Sequence, residues 1–297
     1  MERSDFCVFI LTHGRADRVM TVKTLRRQGY TGRVVLVIDD MDGQADRYRE
    51  NFGAESVVAF DKRKWAAKVD AMENRGKLNG VVFARNAAWE VARSLGVKWF
   101  CVLDDDYKEF MWRWVDGERL AWCDCRDLDS VFAAMVEFLE ASGADTVAMA
   151  QAGDFIGGVG STAAGCPLLR KAMNVFFFRA DRPCSFIGMT NEDVNMYVLA
   201  NLRGRLVFTL TGVSVVQMVT QTNGGGLTDI YLQDGTYVKS FYSVMCAPSC
   251  VKVSMIHGGR KGQDGGHWRL HHHVSWNNCA AKIVSGKWRK PGPGRGM

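Results

Sequence analysis

The sequence predicts an α/β protein with a mostly parallel sheet flanked by helices. Three observations support this prediction: short apolar runs alternate with helix-like stretches, several of these runs end in polar residues, and one ends in three successive carboxylates, Asp104-Asp105-Asp106. The carboxyl ends of parallel strands meet at one edge of a sheet, where open α/β folds bind their ligands.

The first half of the chain supplies the alternation. The predicted elements are strand 7–11, helix 17–28, strand 34–38, helix 46–51, strand 56–60, helix 83–95 and strand 99–103. Each strand is a compact apolar run, and glycine follows the first two helices as a stop signal. This order predicts parallel strands with helical crossovers.

The second half begins with an amphipathic helix over 127–142, which places Val131, Met135, Phe138 and Leu139 on one side. A strand over 146–150 follows, then a segment rich in Gly, Ser and Thr, and a strand over 173–178. Thr190 is the predicted N-cap of a helix that runs to Asn201. Residues 205–219 are predicted to be β, residues 224–226 a mobile glycine loop, and the end of the chain disordered.

Composition indicates an ordinary globular protein: 47% of the 297 residues are hydrophobic and 24% are charged. We find neither a secretory signal nor an apolar stretch near the roughly 20 residues that a membrane span needs, so we expect a soluble, cytoplasmic protein. The sequence does not determine the oligomeric state, and a monomer is one possible state. We predict a catalytic core over 1–215 and a C-terminal extension over 216–297, with about the last ten residues disordered.

Charge is unevenly distributed. Residues 252–297 contain nine Lys or Arg and one acid, whereas the remainder contains 29 basic and 31 acidic residues. A basic terminal segment suits binding to a polyanion, although a merely soluble tail has the same composition.

The nine cysteines are irregularly spaced, which favours reduced thiols. Cys123, Cys125, Cys246 and Cys250, together with late histidines, leave structural zinc as an alternative.

The motifs exclude some nucleotide sites and favour another. No GxGxxG follows the first strand and no GxxxxGK[ST] occurs, so dinucleotide dehydrogenases and P-loop enzymes are disfavoured. Clustered carboxylates after a strand suit a divalent cation held against a phosphate, although aspartates also cap helices and form turns. The predicted nucleotide site consists of polar residues near strand ends: Thr12, Arg15, Asp39, Asp40, Arg85, Asn86 and the aspartate triplet.

These residues resemble a known family. The order Thr12-His13-Gly14-Arg15, Asp39-Asp40, Ala84-Arg85-Asn86 and Leu103-Asp104-Asp105-Asp106 is similar to that of GT-A glycosyltransferases with their DxD motif, over about residues 5–210. Four later segments, 237–243, 249–253, 268–272 and 281–284, resemble the TET-associated glycosyltransferases of bacteriophages. That family sugar-modifies 5-hydroxymethylpyrimidines in DNA.

The resemblance implies roles for the acidic and histidine residues. Asp104 and Asp106 would bind Mn²⁺ or Mg²⁺ and the nucleotide sugar, expected to be a UDP-sugar, with Asp105 in support. His271 or His272 would add a metal ligand, although each also fits a solvent-facing or otherwise satisfied histidine.

The resemblance also implies an acceptor base. A hydroxymethyl group has a high pKa, so its attack on the anomeric carbon needs a carboxylate within hydrogen-bond reach. Asp193 is favoured over Glu192 for this role in an inverting reaction, and a retaining reaction would remove the assignment. Both acids alternatively complement the N-terminus of their helix.

The predicted DNA contacts lie near the C-terminus, where aromatic and basic residues alternate. They are Trp268, Arg269, Lys282, Lys287, Arg289 and Lys290. Ordinary packing of a terminal subdomain is the alternative for Trp268, Trp276 and Trp288, and the core or the surroundings of the metal strand are expected for Trp99, Trp112 and Trp114.

The resemblance therefore implies a metal-dependent glycosyltransferase acting on 5-hydroxymethylcytosine, or a related base, in phage DNA within the host cytoplasm. One alternative is a GT-A glycosyltransferase with a sugar or protein acceptor. Another is a nucleotidyltransferase or a non-catalytic DNA-binding protein.

Overall fold

The computed structural model describes residues 4–72, 76–218, 238–258 and 267–279, without the side chains of 256–258, 267 and 269. The strands are β1 (Phe6–Leu11), β2 (Val34–Asp39), β3 (Val57–Phe60), β4 (Trp99–Asp104), β5 (Tyr107–Asp116), β6 (Arg119–Asp124), β7 (Thr146–Gln151), β8 (Leu168–Leu169), β9 (Phe176–Arg179), β10 (Val207–Gln217), β11 (Val251–Gly258) and β12 (His267–Val274).

The helices flank these strands. They are α1 (Met20–Arg27), α2 (Ala45–Phe52), α3 (Lys62–Ala66), α4 (Val82–Ser94), α5 (Leu128–Ser142), α6 (Thr162–Gly165), α7 (Glu192–Leu202), α8 (238–246) and α9 (Trp276–Cys279). Within the described ranges, no helix combines the length and apolar character needed to cross a bilayer.

Ten strands form one sheet in the order β3-β2-β1-β4-β9-β7-β10-β5-β6, with β8 paired to β10. Strands β1, β2, β3, β4, β6, β7 and β10 run in one direction, whereas β5, β8 and β9 run in the other. The predicted α/β fold with a mostly parallel sheet is confirmed. The apolar runs end at one sheet edge because their strands are parallel.

Both faces of the sheet are buried around β1, which explains why β1 is apolar throughout. On one face Phe9 stacks on Phe100 at 5.1 Å between ring centroids, and Trp89 of α4 covers them. On the other face Phe6 packs against Phe132 of α5. A strand covered on both sides carries apolar residues at every position, whereas a half-exposed strand alternates.

Helix α5 agrees closely with its prediction. The Asp127 carboxylate accepts a hydrogen bond from the backbone N–H of Ser130 at 3.1 Å, and Gly143 ends the helix in the left-handed region. Val131, Met135 and Leu139 are buried, and Phe138 is partly buried beside them.

Two local predictions were wrong, and a third was right in part. Helix α1 begins at Met20 and not at residue 17. Thr190 does not cap α7, because Asn191 occupies the N-cap position at φ +54° and the Thr190 hydroxyl is buried without a hydrogen-bond partner among the described residues. Trp99 is buried as expected, whereas Trp112 and Trp114 are 42% and 46% exposed, because they lie on the β5–β6 hairpin that follows the aspartate triplet and not in the core.

The C-terminal elements pack against the face of the sheet that α4 covers. Strands β11 and β12 form a separate antiparallel pair. Val251 and Cys279 are buried in the same cluster as Phe9 and Trp89, and Trp276 of α9 stacks on Tyr197 of α7 at 5.8 Å. The predicted boundary after residue 215 falls inside β10.

Candidate active site

The parallel strands bring the predicted acidic residues to one edge of the sheet. Strand β1 pairs with β4 so that Leu11 lies opposite Asp104, and β2 ends at Asp39 beside β1. Residues that are far apart in sequence, in the loops after β1, β2 and β4, therefore line one edge.

The middle carboxylate of the triplet is held by the loop that follows β1. Asp105 is buried, and its Oδ2 accepts a hydrogen bond from the Thr12 hydroxyl at 2.7 Å. Its Oδ1 lies 3.0 Å from Nη1 of Arg15. The hydroxyls of Thr12 and Tyr48 are 2.9 Å apart. Thr12 and Arg15, predicted to bind the nucleotide, thus contact Asp105 and fix the position of the triplet.

The outer carboxylates carry more negative charge than the described side chains neutralise. The pKa of Asp106 is raised to about 7 by burial first and then by the charges of Asp104 and Asp105, whereas Arg15 lowers it. Burial also raises the pKa of Asp104, with Arg85 opposing the shift. Asp104 and Asp106, on either side of Asp105, have the oxygen chemistry that Mg²⁺ and Mn²⁺ require and little neutralising charge around them, so the residues fit the implied cation.

The remaining metal ligands are not supplied by a protein cluster in the described ranges, where no group of three or more His, Cys, Asp or Glu side chains could hold a metal ion. Magnesium commonly keeps water and substrate phosphate as ligands, so two carboxylates are a sufficient protein contribution. All nine cysteines lie in the described residues and are free thiols.

Arg85 connects the metal strand to α7. Its Nη1 lies 2.9 Å from Oε1 of Glu192, and its Nη2 lies 3.6 Å from Oδ1 of Asp104. The guanidinium is buried between the rings of Phe176 and Phe186, at 4.9 and 5.6 Å. Neither Nη1 nor Nε makes a hydrogen bond of good geometry within the described residues, so the contact with Glu192 is a close ion pair without directed N–H donation.

Glu192 and Asp193 differ in environment although they are neighbours. Glu192 is buried, and this burial raises its pKa to about 7 with the help of the Asp193 charge, while Arg85 lowers it. Asp193 is half-buried, and none of the ion pairs in the described part of the chain includes it. Asp193 is therefore the carboxylate more accessible to an incoming alcohol.

Asn191 and the C-terminal hairpin complete the wall beside α7. The Asn191 Nδ2 lies 3.1 Å from Nδ1 of His272 and 2.9 Å from the backbone oxygen of Lys239. Burial lowers the pKa of His272 to about 4, the His271 charge adds to this, and Asp193 opposes it. His272 is therefore neutral near pH 7, with its ring 4.3 Å from that of His271. His272 thus contacts Asn191, the N-cap residue of α7.

The ends of β1 and β2 contain contacts that sequence reasoning missed. Asp39 Oδ2 lies 2.7 Å from Nδ1 of His13 and accepts a hydrogen bond from Nζ of Lys62 at 3.1 Å. Asp39 is buried, whereas Asp40 is exposed and accepts from the backbone N–H of Lys62 at 2.9 Å. His13 and Lys62 each adjoin a predicted strand end, and this position was the available signal.

The predicted DNA contacts are only partly placed. Trp268 lies in β12 and is 65% exposed, and Arg269 follows it on the same strand. The remaining predicted contacts lie outside the described residues: Lys282, Lys287, Arg289 and Lys290. The glycine loop over 224–226 lies outside them as well.

Comparison with known proteins gives one family. The profile of a family described as TET-associated glycosyltransferase matches residues 6–226, which is well over half of the chain and includes every acidic residue described above. A search of curated protein sequences gives no match.

Solved structures show distant similarity. The mannosyltransferase PcManGT from Pyrobaculum calidifontis, in complex with GDP-Man and Mn²⁺, is 14% identical with a TM-score of 0.46, covering 82% of this chain and 73% of that one. Glucosyl-3-phosphoglycerate synthase from Mycobacterium tuberculosis, in complex with Mg²⁺ and UDP, is 10% identical with a TM-score of 0.46, covering 91% and 87%. S. aureus TarS 1–349 is 13% identical with a TM-score of 0.41, covering 73% of this chain and 61% of that one. The chain thus spans less than two thirds of that TarS structure.

Proposed function

The chain belongs to the TET-associated glycosyltransferase family, and on that basis we propose that it glycosylates 5-hydroxymethylcytosine, or a related 5-hydroxymethylpyrimidine, in phage DNA. It is an enzyme that transfers a sugar; the donor we propose is a nucleotide sugar carried by UDP, and the setting is the host cytoplasm. The observation that supports this most is the under-neutralised carboxylate pair, Asp104 and Asp106, beside the buried Arg85–Glu192 ion pair.

The donor half of the reaction needs charge stabilisation. Asp104 and Asp106 would hold Mn²⁺ or Mg²⁺, which stabilises the negative charge that develops on the departing nucleoside diphosphate. Asp105 positions both neighbours through its contacts with Thr12 and Arg15. We keep Asp39 and Asp40 as candidate contacts for the nucleoside, and the exposed carboxylate of Asp40 is the better placed of the two.

The acceptor half needs a base. We propose that Asp193 accepts the proton of the hydroxymethyl group as its oxygen attacks the anomeric carbon, which gives inversion of configuration. Glu192 is less suited because it is buried against Arg85. We propose instead that Arg85 and Glu192 fix the distance between the metal strand and α7, since one guanidinium contacts both.

Substrate DNA requires a further surface. Trp268 and Arg269 of β12 belong to the hairpin whose His272 contacts Asn191, so part of the basic segment 252–297 lies at the acceptor side of the site. We propose that this segment binds phosphates, while exposed aromatic rings stack against a base displaced from the duplex.

The direct test is mass spectrometry of nucleosides. DNA containing 5-hydroxymethylcytosine is incubated with the protein, Mn²⁺ and a mixture of nucleotide sugars, with unmodified DNA as the control. We expect a mass increase of one sugar on the hydroxymethylated nucleoside only. Release of nucleoside diphosphate without modified DNA would retain the glycosyltransferase and reject the DNA base as its acceptor, which favours a sugar or protein acceptor instead.

A further inference from the structure

Three amide side chains lie at the same sheet edge as the carboxylates. Strand β7 ends at Gln151 and β10 ends at Gln217. Asn174 precedes β9, which is antiparallel to its neighbours β4 and β7, so that β9 begins at the edge where β4 and β7 end. We call Gln151, Asn174 and Gln217 the amide cluster.

The hydrogen bonds inside the amide cluster determine what it offers to a ligand. Asn174 Nδ2 donates to Oε1 of Gln217 at 2.8 Å and to Oε1 of Gln151 at 3.1 Å. The Gln151 side chain also accepts from the backbone N–H of Asp154. Both glutamine oxygens and both Asn174 amide hydrogens are thereby used.

The unused atoms are the two glutamine NH₂ groups and the Asn174 carbonyl oxygen. None of the three has a hydrogen-bond partner among the described residues, and unlike the Thr190 hydroxyl none is a buried unsatisfied atom. The amide cluster therefore has four N–H donors and one acceptor that no described residue uses.

The backbone beneath the amide cluster is strained. Asn174 and Val175 have φ values of +54° and +41°, and a left-handed conformation is unfavourable for a β-branched residue such as Val175. The Val175 side chain is buried, and its backbone N–H donates to the Tyr107 hydroxyl at 3.3 Å. Strained residues persist where surrounding contacts hold them, and they concentrate at functional sites.

The amide cluster is adjacent to the predicted metal carboxylates. Gln217 is registered opposite Tyr107, and the backbone N–H of Met218 donates to the backbone oxygen of Asp106 at 3.1 Å. The nearby Lys171 ammonium is paired with Asp154, so its charge is already compensated. A neutral, hydroxyl-bearing group is a better partner for this surface than a phosphate.

We propose that the amide cluster binds hydroxyl groups of the sugar that is transferred and thereby determines which sugar the enzyme accepts. This inference rests on the proposed function and deepens it. Along the edge, the polar ends of β1 and β2 come first, the β4 carboxylates second and the amide cluster third. A nucleotide sugar has the same order of parts: nucleoside, diphosphate and sugar. When its diphosphate lies at the carboxylates, its sugar therefore lies at the amide cluster. A hydroxyl group both donates and accepts hydrogen bonds, and a side-chain amide can pair with it in both roles.

The test measures binding and not transfer, so it does not depend on the DNA acceptor. Dissociation constants are measured by calorimetry with Mn²⁺ for UDP, UDP-glucose, UDP-galactose, UDP-N-acetylglucosamine, GDP and GDP-mannose. Gln217→Ala and Asn174→Gly are the test variants, and the second keeps a left-handed backbone that glycine adopts without strain. Asn278→Ala is the matched control, since it removes an exposed amide on α9.

We expect the unsubstituted protein to prefer one nucleotide sugar over its epimer and over the free diphosphate. Each test variant should lose roughly tenfold in affinity for that sugar, while its affinity for the free nucleoside diphosphate stays unchanged. The control should behave as the unsubstituted protein does, and thermal unfolding verifies that every variant is folded.

Two results would overturn the inference: an unsubstituted protein that binds all the sugars no better than the diphosphate, or test variants that keep the original preference. Should Asn174→Gly fail to fold, Gln217→Ala decides alone, because Gln217 lies at a strand end and is half-buried. Failure of DNA modification with an intact sugar preference would reject the proposed acceptor and leave this inference standing.

Discussion

Two parts of the sheet edge differ in how far the protein neutralises their carboxylates: the ends of β1 and β2 form the first half, and the end of β4 with the start of α7 forms the second. At the ends of β1 and β2, the carboxylates have partners: His13 and Lys62 contact Asp39, and its pKa is lowered although burial alone would raise it. At the end of β4, burial and the charges of Asp104 and Asp105 instead raise the pKa of Asp106 to about 7, and none of the ion pairs among the described residues includes this carboxylate.

The difference indicates where a ligand contributes charge. A carboxylate that the protein has already paired is part of the scaffold, because its desolvation is offset within the fold. A buried carboxylate without a sufficient counter-charge costs stability until a cation arrives, and perturbed groups of this kind are typical of functional sites. The first half of the edge is therefore preorganised, and the second half awaits metal and substrate.

The largest effect expected from this comparison concerns two neighbouring aspartates. Asp106→Ala should reduce turnover by about 10⁴-fold without lowering the free energy of unfolding, because it removes a carboxylate whose charge no described side chain neutralises. Asp105→Ala should destabilise the fold by about 2–3 kcal/mol, because it leaves Thr12 and Arg15 without their acceptor.

Both variants are assayed for donor turnover and for urea unfolding, and Mn²⁺ should raise the melting temperature of the unsubstituted protein but not that of Asp106→Ala. Full activity in Asp106→Ala would remove Asp106 from the metal site. Equal destabilisation by the two substitutions would remove the distinction between paired and unpaired acids.

A smaller but selective loss is expected at α7. Asp193→Asn should lower kcat by about 10²-fold or more and leave binding of the nucleotide sugar unchanged, because the base acts on the acceptor. Glu192→Gln is the matched comparison, and it should alter stability as well as rate because it weakens the ion pair with Arg85. An unchanged kcat in Asp193→Asn would show that a group other than Asp193 is the base.

The buried ion pair can be tested through stability alone. Arg85→Met should destabilise the protein by about 3–5 kcal/mol, because Glu192 then lies buried without its cation. The double variant Arg85→Met/Glu192→Met should recover much of that loss, since the second change removes the uncompensated charge. Urea denaturation of the single and double variants measures this coupling, and a double variant no more stable than Arg85→Met would show that the pair is not coupled in this way.

The sequence predicted which residues lie at the sheet edge better than it predicted the contacts between them. Parallel strands with polar ends placed Asp39 and the aspartate triplet correctly, because strand periodicity and length are local properties. The ion pair between Arg85 and Glu192 joins residues far apart in the chain, and no local pattern encodes such a partner. Arg85 was therefore predicted to bind phosphate, whereas the structure places it against two carboxylates.

The β5–β6 hairpin was missed for a different reason. Only two residues, Asp105 and Asp106, lie between the end of β4 and the start of β5, so no turn signal separates the strands. Asp116-Gly117 between aromatic and β-branched residues was nevertheless a hairpin signal, and Gly117 has the positive φ that such a turn uses. Exposed Trp112 and Trp114 follow from that hairpin, because it forms the border of the sheet.

The smallest expected effect concerns the paired half of the edge. The hydrogen bond with Asp39 raises the pKa of His13, against partial burial that lowers it. A histidine whose pKa is higher in the folded state contributes stability that is complete below its unfolded pKa of about 6.5 and is lost as pH rises through the raised folded value. Asp39 has a lowered pKa, so its contribution is lost only as pH falls through the lower value in acid.

Melting temperatures between pH 6 and 9 measure the His13 contribution. The unsubstituted protein should lose about 1 kcal/mol or less over this range relative to His13→Gln, because the His13 side chain is 50% exposed and solvent screens the pair. His273→Gln, which removes an exposed histidine of β12, serves as the control and should follow the unsubstituted profile. Identical profiles for all three proteins would mean that Lys62 alone neutralises Asp39, and His13 would then be free to contact the nucleoside that we propose to lie at the ends of β1 and β2.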